Sequence, residues 1–151
     1  MPLPSTVRAF LFLRRSYIMA KSFKVQMNET FKAPVKIPRV GGEPLNVTFE
    51  FKVMSRKALA RMFDEWKKEG ANLINEAEKA DEAGNGFSLA DWAEREIEMQ
   101  VKQIKDIVLG WGFSDEFSDE NIEELIESSV SVTEAIIEQY NEAYTRARQG
   151  N

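Results

Sequence analysis

Between Leu45 and Val53 the apolar residues Leu45, Val47, Phe49, Phe51 and Val53 alternate with Asn46, Thr48, Glu50 and Lys52. A period of two puts all five apolar side chains on one face of a strand. The period then changes. Leu59, Met62, Phe63 and Trp66 follow at i, i+3, i+4 and i+7, the spacing of one helix face. A strand with one apolar face needs a helix to cover it. Ser55 stands between the two as an N-cap, with Met54 placed to staple against Leu59.

Upstream, Phe23, Val25, Met27 and Phe31 also alternate with polar neighbours. Pro34 and Pro38 then interrupt, and proline cannot donate to a ladder, so "APVKIPRV" reads as an edge or irregular strand. "GGEP" at 41–44 is a turn. These segments predict a small antiparallel sheet or hairpin.

Downstream, Gly70 is expected to end or bend the first helix, with 71–83 a weakly packed helix or loop and "GNG" at 84–86 a turn. Ser88 with Asp91 opens the next helix, whose stripe is Leu89, Ala93, Ile97, Val101, Ile104 and Val108, with Trp92 beside it. Gly110 fits the left-handed position past that helix end.

"FSDE" then occurs twice, at Phe113–Glu116 and Phe117–Glu120. Ser118 is a good N-cap. Asp119 and Glu120 complement the helix dipole by about 0.3–1 kcal/mol each. Phe117 and Ile122 can staple across the cap. Ser114 is expected to cap a single turn in the same way. A last helix starts at Ser131, where "SVTE" forms a capping box, and buries Val132, Ile136, Tyr140, Ala143 and Ala147. The fold class is α+β, mostly helical: a small N-terminal antiparallel β-sheet or hairpin, then three to four α-helices. The β segment spans about 22–54 and the helices about 55–149, in one domain over 19–151.

Residues 1–18 are expected to be a disordered or non-native upstream extension, because Met19-Ala20-Lys21 resembles a start of its own. The apolar run Ala9–Leu13 precedes Arg14 and Arg15, the reverse of a secretory signal. A membrane-spanning helix needs about 20 apolar residues, and no stretch approaches that.

Composition removes most chemistry. Without cysteine there is neither a disulfide framework nor a thiolate, which fits a reducing cytoplasm. Without histidine there is no usual base near neutral pH and no Ser-His or Cys-His pair. Read as an EF-hand loop from Asp115, the acidic junction has Phe117 at the third position and Glu120 where glycine is required. Acidic pairs such as Glu94/Glu98 and Glu120/Glu124 have the spacing of any charged helix face. "GGEP" and "GWG" lack the context of a phosphate-binding loop. The residues therefore nominate no catalytic, cofactor-binding or metal-ligating group, and an enzyme is the class they favour least.

The overall charge of −5 hides a gradient. Residues 1–41 carry eight Lys/Arg against Glu29, a net +7, and residues 110–151 carry ten Asp/Glu against two Arg, a net −8. The two ends could attract one another, face different partners, or simply be solvated. Without base-reading or stacking groups on a clustered basic face, charge alone does not imply nucleic acid.

Trp66 and Trp92 lie on or beside apolar stripes. Trp111 stands between two glycines, with Phe113 and Phe117 close behind. These three aromatics are the candidate partner-binding residues, because aromatics anchor interfaces, and core plugs are the alternative reading.

Two stretches carry a resemblance to a known family. One is "FKAPVKIPRVGGEPLNVTFEFKVMSRKALARMFDEW", a β segment feeding a helix. The other is "IKDIVLGWGFSDEFSDENIEELIESSVSVTEAIIEQYNEAYTRARQGN", where a Trp-Gly junction leads into a helix start. Together, over roughly Phe23–Asn151, they resemble the tail assembly chaperones of long-tailed bacteriophages and prophages. Residues 1–18 and 70–87 lie outside what this resemblance explains. The resemblance implies a non-enzymatic protein of the host bacterial cytoplasm that uses no nucleotide or other cofactor. Its implied partner is the tape measure protein, kept soluble until the tail tube polymerises around it. The tail tube protein as a second partner and homo-oligomerisation stay open. No nucleic acid or membrane is implied. The alternative is a structural tail-completion or minor virion protein.

Overall fold

The computed structural model describes residues 29–148. The alternating residues Phe23, Val25 and Met27, the 1–18 extension and the side chain of Ala147 lie outside the described residues.

Strand β1, Thr30–Ile37, and strand β2, Leu45–Lys52, pair antiparallel from Thr30↔Lys52 to Ile37↔Leu45. Gly41 takes a φ of 72° in the connection, which glycine adopts without a Cβ clash. The Val53 N–H donates to the Glu29 carbonyl at 2.9 Å. Hydrogen-bonded pairs alternate from there, so Pro34, opposite Thr48, faces the free edge and its missing N–H costs no ladder bond. Exposed Lys32 and Lys36 flank it, which discourages pairing by another strand.

Val35, Ile37, Phe49 and Phe51 are fully buried on one face of this hairpin. Each contributes about 1.5–3 kcal/mol of burial. Helix α1, Arg56–Glu82, adds Met62 and Trp66 to the same buried core, while the helix that lies against the hairpin is the last one, Val132–Arg148. The Ser55 hydroxyl accepts from the Ala58 N–H at 3.2 Å, the anticipated cap. Gly70 does not end the helix. α1 runs on through it to Glu82, and its next buried residue is Leu73. One glycine costs about 1 kcal/mol, and the burial of Leu73 one turn on offsets it.

The chain reverses through Gly84 and Gly86, both at positive φ, and enters helix α2, Leu89–Ile107. Ser88 and Asp91 form the full capping box. The anticipated stripe holds only from its middle onward. Leu89 is 89 % exposed and Ala93 is exposed, whereas Ile97 and Val101 pack against the core and Ile104 and Ile107 are buried in it. In the first turn of α2 the half-buried residue is Trp92, which meets Phe87 edge-on at 6.2 Å. Trp66 Nε1 donates to Asp106 Oδ2 at 2.8 Å and ties α1 to α2.

The largest departure follows. Val108–Trp111 is a strand, β3, where a helix end and a junction between helices were expected. It joins β2 in a three-stranded sheet of order β1-β2-β3. The pairs are Phe49↔Trp111, Glu50↔Gly110 and Phe51↔Val108, so Leu109 is an extra, bulged residue. Val108 caps α2 in extended conformation rather than extending its stripe, and Gly110 is paired rather than left-handed. Residues 112–118 carry no regular structure, so Ser114 caps no turn.

Helix α3, Asp119–Glu127, is capped by the Ser118 hydroxyl, which accepts from Asn121 N–H at 3.3 Å. Ile122 and Ile126 are buried. Helix α4, Val132–Arg148, lies against β1. At its start Ser129 Oγ accepts from the Ser131 N–H at 3.3 Å, in place of the anticipated Ser131–Glu134 box. Val132, Ile136 and Tyr140 are wholly buried. Tyr140 donates its hydroxyl to the Lys52 carbonyl at 2.8 Å, and Tyr144 accepts from the Met54 N–H at 3.1 Å. These bonds latch the last helix onto the strand-to-helix corner.

Candidate partner-binding site at the Trp111 junction

The site begins with a close approach of backbones. The Gly112 N–H donates to the Thr48 carbonyl at 2.8 Å and extends the β2–β3 ladder by one bond. A Cβ at Gly112 would lie 3.3 Å from that carbonyl oxygen, so a side chain here would force the two backbones apart by a few tenths of an ångström.

On either side of Gly112 the aromatic rings meet edge to face. Trp111 lies 5.2 Å from Phe113 at 90° and 5.0 Å from Phe117 at 85°. Beneath them Phe49 is fully buried, 6.1 Å from Trp111 and 6.3 Å from Phe113, both edge-on. Such pairs contribute about 0.5–1.5 kcal/mol beyond their buried area. The three aromatics named from sequence are thus one cluster. Each is half-buried and packs against the core while keeping a solvent-facing part.

Two side-chain bonds hold the loop that carries them. Trp111 Nε1 donates to the Asp115 carbonyl at 2.8 Å, and Asn121 Nδ2 donates to the Glu116 carbonyl at 2.8 Å. Asp119 Oδ1 pairs with Lys105 Nζ at 2.8 Å, which fastens the start of α3 to the end of α2. That pair is solvent-exposed and contributes about 0–1 kcal/mol.

Trp111 and Phe113 form one wall of an open cleft of about 240 Å³, with Asn121, Glu124, Leu125 and Ser128 of α3 and its end opposite. Phe117 does not line this cleft; it supports the Trp111 ring. A second hollow of about 240 Å³ shares Leu125 and Ser128 with the first and reaches the hairpin loop at Pro38, Val40 and Leu45. Sequence reading missed Val40 and Leu45 as surface residues, whereas Leu125 packs against the core as expected and also lines both hollows. Leu125 has the spacing of a core residue, and the exposure of the hairpin loop follows from the way α3 stops beside it.

A third hollow, of about 290 Å³, lies between α1 and α2. Its walls are ion pairs. Arg95 pairs with Glu76 at 3.0 Å and Glu98 at 2.5 Å, and Lys102 pairs with Glu69. Hydrogen bonding to Glu76, then to Glu98, holds the Arg95 guanidinium above its usual pKa, and Glu69 raises Lys102 in the same way. These pairs brace the helical hairpin, although Glu69 Oε2 is buried there without a hydrogen-bond partner.

Among the described residues no group of three or more acidic side chains is arranged to hold a metal ion. No helix among them is long and apolar enough to cross a membrane. The Trp111 junction thus offers an apolar, acidic-rimmed surface on a rigid frame.

Comparison with the curated proteins and with the solved structures finds no match. The sequence model of one family, described as phage tail assembly chaperone, matches residues 19–151. That span includes the sheet, the four helices of the described residues and the aromatic junction, so the chain belongs to the phage tail assembly chaperone family.

Proposed function

We propose that this chain binds the tape measure protein in the host cytoplasm and keeps it soluble until tail-tube subunits polymerise around it. The observation that carries the reading is the Trp111–Phe113–Phe117 cluster, half-exposed beside an open cleft and fixed by the Trp111–Asp115 and Asn121–Glu116 bonds. A long helical protein with apolar stripes needs such a surface to shield them, and rigid aromatics supply contact area at low entropic cost. Phage tail proteins are the partners that the family supports, and the tape measure protein is the one whose apolar length most needs cover.

The test is co-expression of this chain with the tape measure protein encoded beside it, followed by fractionation and pull-down. The proposal expects soluble tape measure protein only in the presence of this chain, and co-purification of the two. Insoluble, unbound tape measure protein beside a folded partner would refute it. A chain found in purified virions would instead make it a tail-completion or minor virion component.

A further inference from the structure

Six large apolar side chains are exposed among the described residues; Ile74, Leu89 and Leu109 stand apart on α1, α2 and β3, and the other three lie in or next to the hairpin loop and the end of α3. Val40 is 84 % exposed, Leu45 40 % and Val130 96 %. Val40 and Leu45 line the hollow at the hairpin loop, and Val130 follows two residues after Ser128, which lines both hollows. Singly, exposed apolar residues mean nothing; gathered round one groove they mark a contact surface. Leu125 forms the floor where the hollows meet, and Trp111 and Phe113 close the far end.

The rim of this groove has one sign. From Phe113 to Ser131 the chain carries seven acidic residues and no basic one. All seven are exposed, and Glu124 lines the cleft itself. Asp119 is engaged with Lys105 at the end of α2. Among the residues lining the two hollows Arg39 alone is basic, and it stands at the hairpin end. An apolar floor with an acidic wall selects an apolar segment bordered by positive charge and rejects one bordered by negative charge.

We propose that the two hollows joined at Leu125 and Ser128 form one docking groove for an amphipathic helix of a partner, whose apolar stripe is bordered by Lys or Arg. The inference rests on the chaperone reading above and deepens it, since it names the surface and the chemistry of the segment it takes. Val40, Leu45 and Val130 supply apolar contact along the groove, Trp111 and Phe113 end it, and Glu124 and Glu127 hold the basic border.

The probes are two synthetic helix-forming peptides with the same leucine stripe, one bordered by lysine and one by glutamate, titrated into the full chain and read by fluorescence anisotropy. The lysine-bordered peptide is expected to bind and to weaken with salt, and the glutamate-bordered one to bind about tenfold less well. V40N/V130N should weaken the lysine-bordered peptide by about tenfold. E124Q/E127Q should remove most of the preference for lysine while circular dichroism stays unchanged. All four positions are exposed, so the fold tolerates these changes. Equal binding of the two peptides, or unaltered affinity in V40N/V130N, overturns the proposal. So does a concentration-dependent dimer that V40N/V130N dissolves, because the groove's occupant is then a second copy. The tape measure experiment separates the two claims. Wild-type and V40N/V130N chains that solubilise it equally well leave the function standing and remove the groove. A wild-type chain that fails there but binds the lysine-bordered peptide keeps the groove and loses the function.

Discussion

Trp111 donates its indole N–H to the backbone carbonyl of Asp115 at 2.8 Å, and this bond fixes the shape of the loop between β3 and α3. The ring is therefore held at a set angle to Phe113 and Phe117 and presents one edge to the cleft. Trp111→Phe keeps an aromatic ring but loses the bond, and is expected to cost about 1 kcal/mol in urea unfolding. Trp111→Ala also loses the edge-on contacts and is expected to cost about 3 kcal/mol. Both variants should capture less partner in pull-down while folded. Unchanged capture by a folded Trp111→Ala chain would remove Trp111 from the binding surface.

Gly110 and Gly112 flank that tryptophan and should respond oppositely to the same change. A Cβ on Gly110 meets nothing within 4 Å, and its φ is not positive. Gly110→Ala is expected to fall within about 0.5 kcal/mol of the parent. A Cβ on Gly112 would stand 3.3 Å from the Thr48 oxygen and push β3 from β2. Gly112→Ala is expected to destabilise by about 1–3 kcal/mol. Thermal melts of the two variants side by side check this. Had Gly110 been a left-handed cap, its alanine variant would lose about 1–2 kcal/mol instead.

Tyr140 gives the fold an alkaline limit. Burial first, then the hydrogen bond with Tyr144, holds its hydroxyl protonated well above the ordinary value of 10.0. Unfolded chains release that proton near the ordinary value and folded chains do not. The contribution to stability is therefore complete below about pH 10 and declines as the pH rises beyond it. Tyr140→Phe also leaves the Lys52 carbonyl without its donor, at a cost of about 1–3 kcal/mol near neutral pH. Its unfolding free energy should fall less steeply above that pH than the parent's. Parallel alkaline slopes for the two proteins would contradict this account.

Gly70 lies inside continuous helix with open space where a Cβ would stand. Gly70→Ala is expected to stabilise the chain by about 0.5–1 kcal/mol, because alanine restricts the unfolded chain and favours helix. A lower melting temperature would show that the helix needs glycine there for a close contact.

Local chemistry was readable wherever a few neighbouring residues decide the outcome. The Leu45–Val53 alternation became β2 with Phe49 and Phe51 wholly buried. Ser55, Ser88 and Ser118 cap the helices they precede, because each hydroxyl reaches amides only three residues on. The aromatic identity of the junction was visible too, in Trp111, Phe113 and Phe117. Where α1 ends was not, since continuing past Gly70 depends on contacts from Leu73 onward.

What the sequence determined by itself is the class: one strand hairpin with an apolar face, amphipathic helices to cover it, and side chains that lack the usual reactive groups. What only the tertiary structure decided is the fate of Val108–Trp111. These four residues have too little period to declare a strand, and the open edge of β2 makes them one by offering unpaired carbonyls and amides that a buried segment must satisfy. That pairing carries Trp111 out from the end of α2 and sets it over Phe49. It also fixes where α3 begins, so that Leu125 and Ser128 stop beside the hairpin loop and leave a groove between them. Caps and periods act over a few residues and are written locally. A groove is the space left between elements distant in sequence, and its shape exists only once they have packed.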